Sequence, residues 1–221
     1  MVPIDTETTN TQLTAALAAS APSTRLKAAL AIGTDPDPGL LEALTARCAV
    51  EPDFYVRDML TWALTRLPPD LTVPRLLAET ASPIPQARSQ ALHTLSKIGD
   101  ERAWPAITPG LLRDQDDEVA RAAWRAAVSV VPEGRERDLA ETLAAQLGRG
   151  GRDVQRSLSR ALAALGETIE PVLRRAMDSD DPVVAAHASA TERLLRDPEA
   201  AFEPDVKEAK RIHALGVERE G

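Results

Sequence analysis

The sequence predicts an all-α protein built as a stack of helix pairs, an α-solenoid. Three observations carry that expectation: the composition, a ladder of apolar residues that returns at a near-constant interval, and the placing of proline and glycine between the ladders. Of 221 residues, 38 are alanine and 27 leucine, whereas only six are aromatic. Alanine and leucine favour helix, while strands draw on β-branched and aromatic side chains.

The ladder is clearest from Val56, where apolar residues fall at offsets of zero, four, seven, eight and eleven: Val56, Leu60, Ala63, Leu64 and Leu67. It returns as Ala87, Ala91, Thr94, Leu95 and Ile98, then as Ala120, Trp124, Ala127, Val128 and Val131, then as Val154, Leu158, Ala161, Leu162 and Leu165. A weaker copy reads Val184, Ala188, Thr191, Glu192 and Leu195. At about 100° per residue these offsets share one stripe of a helix. The starting residues lie 31, 33, 34 and 30 positions apart, a period characteristic of a solenoid.

A shorter apolar segment precedes each ladder, at residues 40–48, 71–80, 102–112, 137–147 and 169–177. Each repeat therefore reads as two antiparallel helices joined by a turn. An earlier pair joins residues 13–19 to 25–32, and residues 206–215 read as a terminal helix. The expected organisation is a flexible segment at 1–12, a repeat domain at 13–198, and a capping helix and tail at 199–221.

Punctuation falls where this scheme needs it. Prolines cluster at Pro36, Pro38, Pro68, Pro69, Pro83, Pro85 and Pro132, and a helix entrance tolerates proline because its first amides have no intrahelical partner. Gly33, Gly99 and Gly166 each follow a second helix, where a left-handed cap suits glycine. The turn from Gly148 to Gly151 is the loosest in the array.

On these residues the chain resembles the HEAT-repeat family, in its bacterial form, over roughly residues 13–195. The prolines Pro74, Pro109 and Pro171 sit in first helices, the aspartates Asp53, Asp117 and Asp153 near the intervening turns, and the arginines Arg57, Arg88, Arg121 and, with a one-residue slip, Arg156 early in second helices. The resemblance implies a right-handed α-solenoid of about six antiparallel helix pairs. It also implies a structural ladder between repeats made of Asp53, Arg57, Asp117, Arg121, Asp153 and Arg156. Second helices of such arrays line the concave face, which would bring Trp62 and His93, at the same offset in neighbouring repeats, to one groove. Ser89, Ser96, Thr65, Ser129 and Ser159 are expected on nearby outward faces, with Arg88 and Arg125 adding charge.

Function classes narrow by chemistry. The histidines are His93, His187 and His213, none beside glutamate, so neither the repeated His-Glu ligands of HEAT-like hydroxylases nor another metal site is expected. Cys48 is alone, which leaves no intrachain disulfide and suggests a small core residue. Nucleophile-elbow, phosphate-loop and dinucleotide fingerprints are missing, and no cofactor is expected. A net charge of -8 argues against a broad nucleic-acid footprint. Without a run of about 20 apolar residues or a leader-like start, the expectation is a cytoplasmic protein with no membrane span. Trp124 and Trp104 read as packing residues.

The reading that remains is a non-catalytic scaffold binding a protein or peptide on the concave face through Trp62, His93, Arg125 and Arg88. The resemblance supplies two alternatives, a HEAT-like DNA glycosylase for alkylated bases, using Trp62 with Asp58 or Trp104 with Asp100, and a regulatory or chaperone subunit of a cofactor-lyase-like complex.

Overall fold

A computed structural model describes residues 6–197, and every described element is helical. The chain divides into two compact units, Met1–Ala106 and Ile107–Gly221. The terminal helix expected at 206–215, and the whole of 199–221, lie outside the described residues.

The first unit contains α1 (Thr6–Leu17), α2 (Pro22–Thr34), α3 (Leu41–Cys48), α4 (Phe54–Arg66), α5 (Pro69–Glu79) and α6 (Pro85–Ile98), with 3-10 turns at Pro38–Leu40 and Glu101–Ala106. Helices pair in sequence, α1 with α2, α3 with α4 and α5 with α6. The second members then pack side by side, α2 on α4 and α4 on α6. This is the nearest-neighbour packing of a repeat array, in which each pair buries its apolar stripe only against the next.

The second unit contains α7 (Pro109–Leu112), α8 (Asp117–Val130), α9 (Glu136–Ala144), α10 (Arg152–Ala163), α11 (Glu170–Met177) and α12 (Pro182–Arg196), with a 3-10 turn at Gly166–Ile169. It repeats the scheme: α7 with α8, α9 with α10 and α11 with α12, while α8, α10 and α12 pack in succession. Both units thus have a solenoid-like, all-α repeat architecture.

The ladders form the core. Val56, Leu60, Ala63, Leu64 and Leu67 are all buried in the first unit, as are Ala120, Trp124 and Ala127 in the second. Trp124 is fully buried, as are Ala123, Ala126 and Ala127 of the same helix, and its ring nitrogen donates to Leu112 O at 2.9 Å. Helix starts follow the local chemistry. Asp53 accepts from the Val56 amide, Asp116 from those of Glu118 and Val119, and Asp181 from that of Val183, each satisfying an otherwise unpaired first-turn donor.

Four expectations are corrected. The segment 102–112 is not one helix, because Pro105 and Pro109 cannot donate and Thr108 caps a new start, leaving a 3-10 turn and a four-residue helix. Residues from Thr6 onward belong to α1, so the segment 1–12 is partly helical. Gly99 and Gly166 both have φ of 68°, Gly99 as the cap of α6 and Gly166 at the start of the 3-10 turn after α10, but Gly33 lies inside α2 and has no positive φ. Ser159 and Ser89 are buried, not outward-facing.

Candidate functional site

The once-per-repeat arginines belong to the turns. Arg25 Nη1 donates to the carbonyls of Ala19 and Ser20, six and five residues back. Arg57 does the same to Glu51 and Pro52, and Arg88 donates to Ser82 O at 2.9 Å. Each guanidinium thereby satisfies carbonyls of the turn between a first and a second helix, which have no helical donor. In α10 this place is taken by Gln155, whose amide reaches Gly148 O and Gly150 O, and not by Arg156, which is exposed and pairs with Asp153 at 3.0 Å. The slip invoked for Arg156 is unnecessary.

Ion pairs between repeats do form, and of the residues expected in them Asp117 takes part, with Arg149 as its partner instead of Arg121. Asp53 is spent on capping α4, and Arg121 pairs with Glu118 rather than Asp117. Arg75 reaches back to Glu42 and Arg102 to Asp70 in the first unit; Arg149 reaches Asp117 and Arg175 reaches Glu141 in the second. In every case an arginine contacts an acid 32 to 34 positions earlier. Asp100, the acid beside Trp104, is gripped by Arg102 through Nε and Nη2.

Glu51 is the polar centre of the first unit. Its carboxylate is fully buried and receives Arg25 Nε and Nη2 at 2.7 Å each, Arg47 Nε at 2.7 Å and the Asp53 amide at 2.9 Å. Burial alone would raise the acid's pKa. The Arg25 hydrogen bonds, the Asp53 amide and Arg47 together outweigh that and hold it at about 2. Gln86 Nε2 donates to Cys48 O and Glu51 O, tying α6 to the same turn. Beside it, burial pushes the Cys48 thiol up to about 12, the opposite of what a nucleophile needs.

Around this rigid turn the surface is unusually apolar. Phe54 and Tyr55 are 67% and 71% exposed and meet edge to face at 5.6 Å. Val50 in the same turn and Ile84 in the adjoining one, two residues before Gln86, are also exposed. Sequence reasoning missed this edge because these residues fall at helix starts, outside the ladder phase that it followed. Two adjacent aromatics in a chain with six are the signal that was available.

Of the predicted binding residues, Trp62 and His93 occupy equivalent positions on neighbouring helices α4 and α6. Trp62 is 38% exposed and His93 half-buried. Arg88 is committed to its turn. Arg125, half-buried on α8, belongs to the second unit.

The second unit has its own buried polar centre at His187. Its Nδ1 accepts from the Gly148 amide at 3.0 Å, which puts the ring proton on Nε2, 3.0 Å from both Gln155 O and Ser159 Oγ. Thr191 donates to His187 O, so the Ser159 hydroxyl donates to Thr191 Oγ1 at 2.6 Å. With the serine proton turned away from the ring, the pair is a packing network and not a nucleophile with its base. Among the described residues no group of three His, Cys, Asp or Glu side chains is placed to hold a metal, and no described helix is long and apolar enough to cross a membrane.

Residues 41–129 match the sequence profile of HEAT repeats, in agreement with the helix pairs found in that stretch. The crystal structure of an engineered protein is similar at 20% sequence identity and a TM-score of 0.47, covering 91% of this chain and 97% of that one. No curated protein matches the sequence.

Proposed function

We propose that this HEAT-like repeat protein is a non-catalytic scaffold that binds a protein or peptide, its pairs stacked as a right-handed solenoid of about six repeats. The observation that carries the reading is the exposed edge of Val50, Phe54, Tyr55 and Ile84, mounted on turns that Glu51, Gln86 and Arg57 hold rigid. Large rings kept in water cost the isolated protein solvation energy, and on a preordered base they lose little entropy when covered. Aromatic anchors of this kind dominate protein interfaces. The second-helix face with Trp62 and His93 is the other candidate surface, since Trp62 presents part of its indole to solvent.

Quantitative affinity capture from native extract tests the reading, with F54A/Y55A and W62A/H93A variants checked for helicity. Loss of one specific protein with F54A/Y55A supports the edge, with affinity falling about thirtyfold or more, the roughly 2 kcal/mol of a hot-spot residue. Loss only with W62A/H93A moves the site to the second-helix face. Unchanged capture by both folded variants defeats the proposal for either surface.

A further inference from the structure

Among the described residues, the arginines that are buried or half-buried are, as a rule, spent: Arg25, Arg47, Arg57, Arg75, Arg88 and Arg149 each bond a carboxylate or a carbonyl. Arg125 departs from that rule. It is half-buried on α8, its Nε is shut off from solvent with no hydrogen-bond partner, and none of the described ion pairs includes it. One turn earlier, Arg121 gives Nη1 to Glu118 at 2.6 Å, while its own Nε is equally enclosed and unmatched. Two like charges four residues apart on a helix repel. Burial, and then the neighbouring Arg121, depress the pKa of Arg125; Glu118, whose carboxylate is bonded to Arg121, opposes them only in part and makes no ion pair with Arg125.

The repeat itself does not require a charge there. The equivalent positions, five beyond the start of the other ladders, are Thr61, Leu92, Ser159 and Ser189, none of them charged and the first three buried. Only α8 places an arginine at this level, and its enclosed Nε finds no hydrogen-bond partner to offset the loss of water. A planar guanidinium offers paired N–H donors that fit the oxygens of a carboxylate or phosphate, and an anion between two arginines would remove their repulsion.

We propose that Arg121 and Arg125 form a recognition point for a single oxyanion, either a phosphate or a carboxylate. The inference stands apart from the binding edge of the first unit, because it uses residues of α8 alone.

Titration with inorganic phosphate at constant ionic strength tests it, reading the side-chain Nε–Hε signals of the arginines by NMR and the melting temperature against chloride. The expected result is a saturable shift of the Arg121 and Arg125 signals with a rise in melting temperature, both lost in R125L, which installs the residue found at Leu92. In salt without phosphate, R125L should melt a few degrees higher than the parent, since it removes an unpaired half-buried charge. A structural arginine would give the reverse. Acetate distinguishes the sources: a saturable response to acetate as well as phosphate assigns the site to oxyanions in general, including side-chain carboxylates, and a response to phosphate alone assigns it to phosphate. No saturable shift with either anion, or the same phosphate response in R125L, overturns the proposal.

Discussion

The indole of Trp62 lies directly on the backbone of α2 at Gly33, so closely that a Cβ at that position would come within 2.2 Å of Cζ3 and 2.4 Å of Cε3. Gly33 is therefore glycine for the sake of a neighbour and not of its own torsion angles. One ring face is seated on α2, which fixes the orientation of the part that remains exposed.

G33A should consequently lower stability by about 1–3 kcal/mol, the usual cost of forcing extra volume into a packed contact. It should also shift the tryptophan fluorescence. In a W62A background the clash is absent, and the same substitution should stabilise by up to about 1 kcal/mol through helix propensity. Urea denaturation of the four proteins of this cycle gives the sign directly. Equal destabilisation by G33A in both backgrounds would show that the contact with Trp62 is not what fixes the glycine.

Much of the fold was legible because it depends on periodicity. The stripe that begins at Val56 and returns at Ala87, Ala120 and Val154 follows from the geometry of a helix with one buried side, and alanine-rich spacing around Trp124 marks where bulk is admitted. Polar organisation was less legible. Arg57 and Asp53 are four apart and look like a pair, yet the arginine turns back to carbonyls and the aspartate to an amide. Which partner wins depends on backbone groups that an amino-acid pattern does not display. Glu51 was invisible for a related reason: its role comes from Arg25, 26 positions away, on another helix pair. The edge at Phe54 and Tyr55 lies outside the ladder phase, and a ladder search passes over it.

The turn braces make a second prediction. R57A or R88A removes charged donors from turn carbonyls, and each should cost about 1.5–3 kcal/mol, the range for hydrogen bonds to charged groups. R156A should cost under about 1 kcal/mol, since Arg156 holds only an exposed ion pair while Gln155 does the bracing. Comparable losses from R156A and R57A in thermal melts would contradict this assignment.

Glu51 gives a third. Replacing it by glutamine leaves Arg25 buried without its counter-ion, and breaking a buried pair costs about 3–5 kcal/mol. Because the folded pKa of about 2 lies below the ordinary 4.5, the stabilisation is complete above 4.5 and is lost as pH falls towards 2, where the folded carboxylate takes up its proton. Urea midpoints measured between pH 5 and 2.5 should fall for the parent and fall less steeply for E51Q. Parallel slopes would mean that other carboxylates govern the acid limb.

His187 acts in a different pH window and with the opposite charge. Burial lowers its pKa to about 4, against the opposing hydrogen bond to Gln155 O, while the unfolded ring titrates near 6.5. The fold thus holds the neutral ring, and protonating Nδ1 would set two donors, the new N–H and the Gly148 amide, against each other. Sign follows from proton uptake. Above 6.5 both states are neutral and stability is at its full value; as pH falls from 6.5 to 4 the unfolded chain binds a proton that the folded one refuses. Stability should therefore drop by roughly 3 kcal/mol across that interval and level off below it. The expected NMR signature is a His187 ring that keeps its neutral shifts down to pH 5. H187Q, with nothing to titrate, should be less stable at pH 7 and lack the decline between 6.5 and 4. A ring that titrates near 6.5 in the folded protein would remove the Gly148 hydrogen bond from the account of how α12 is held.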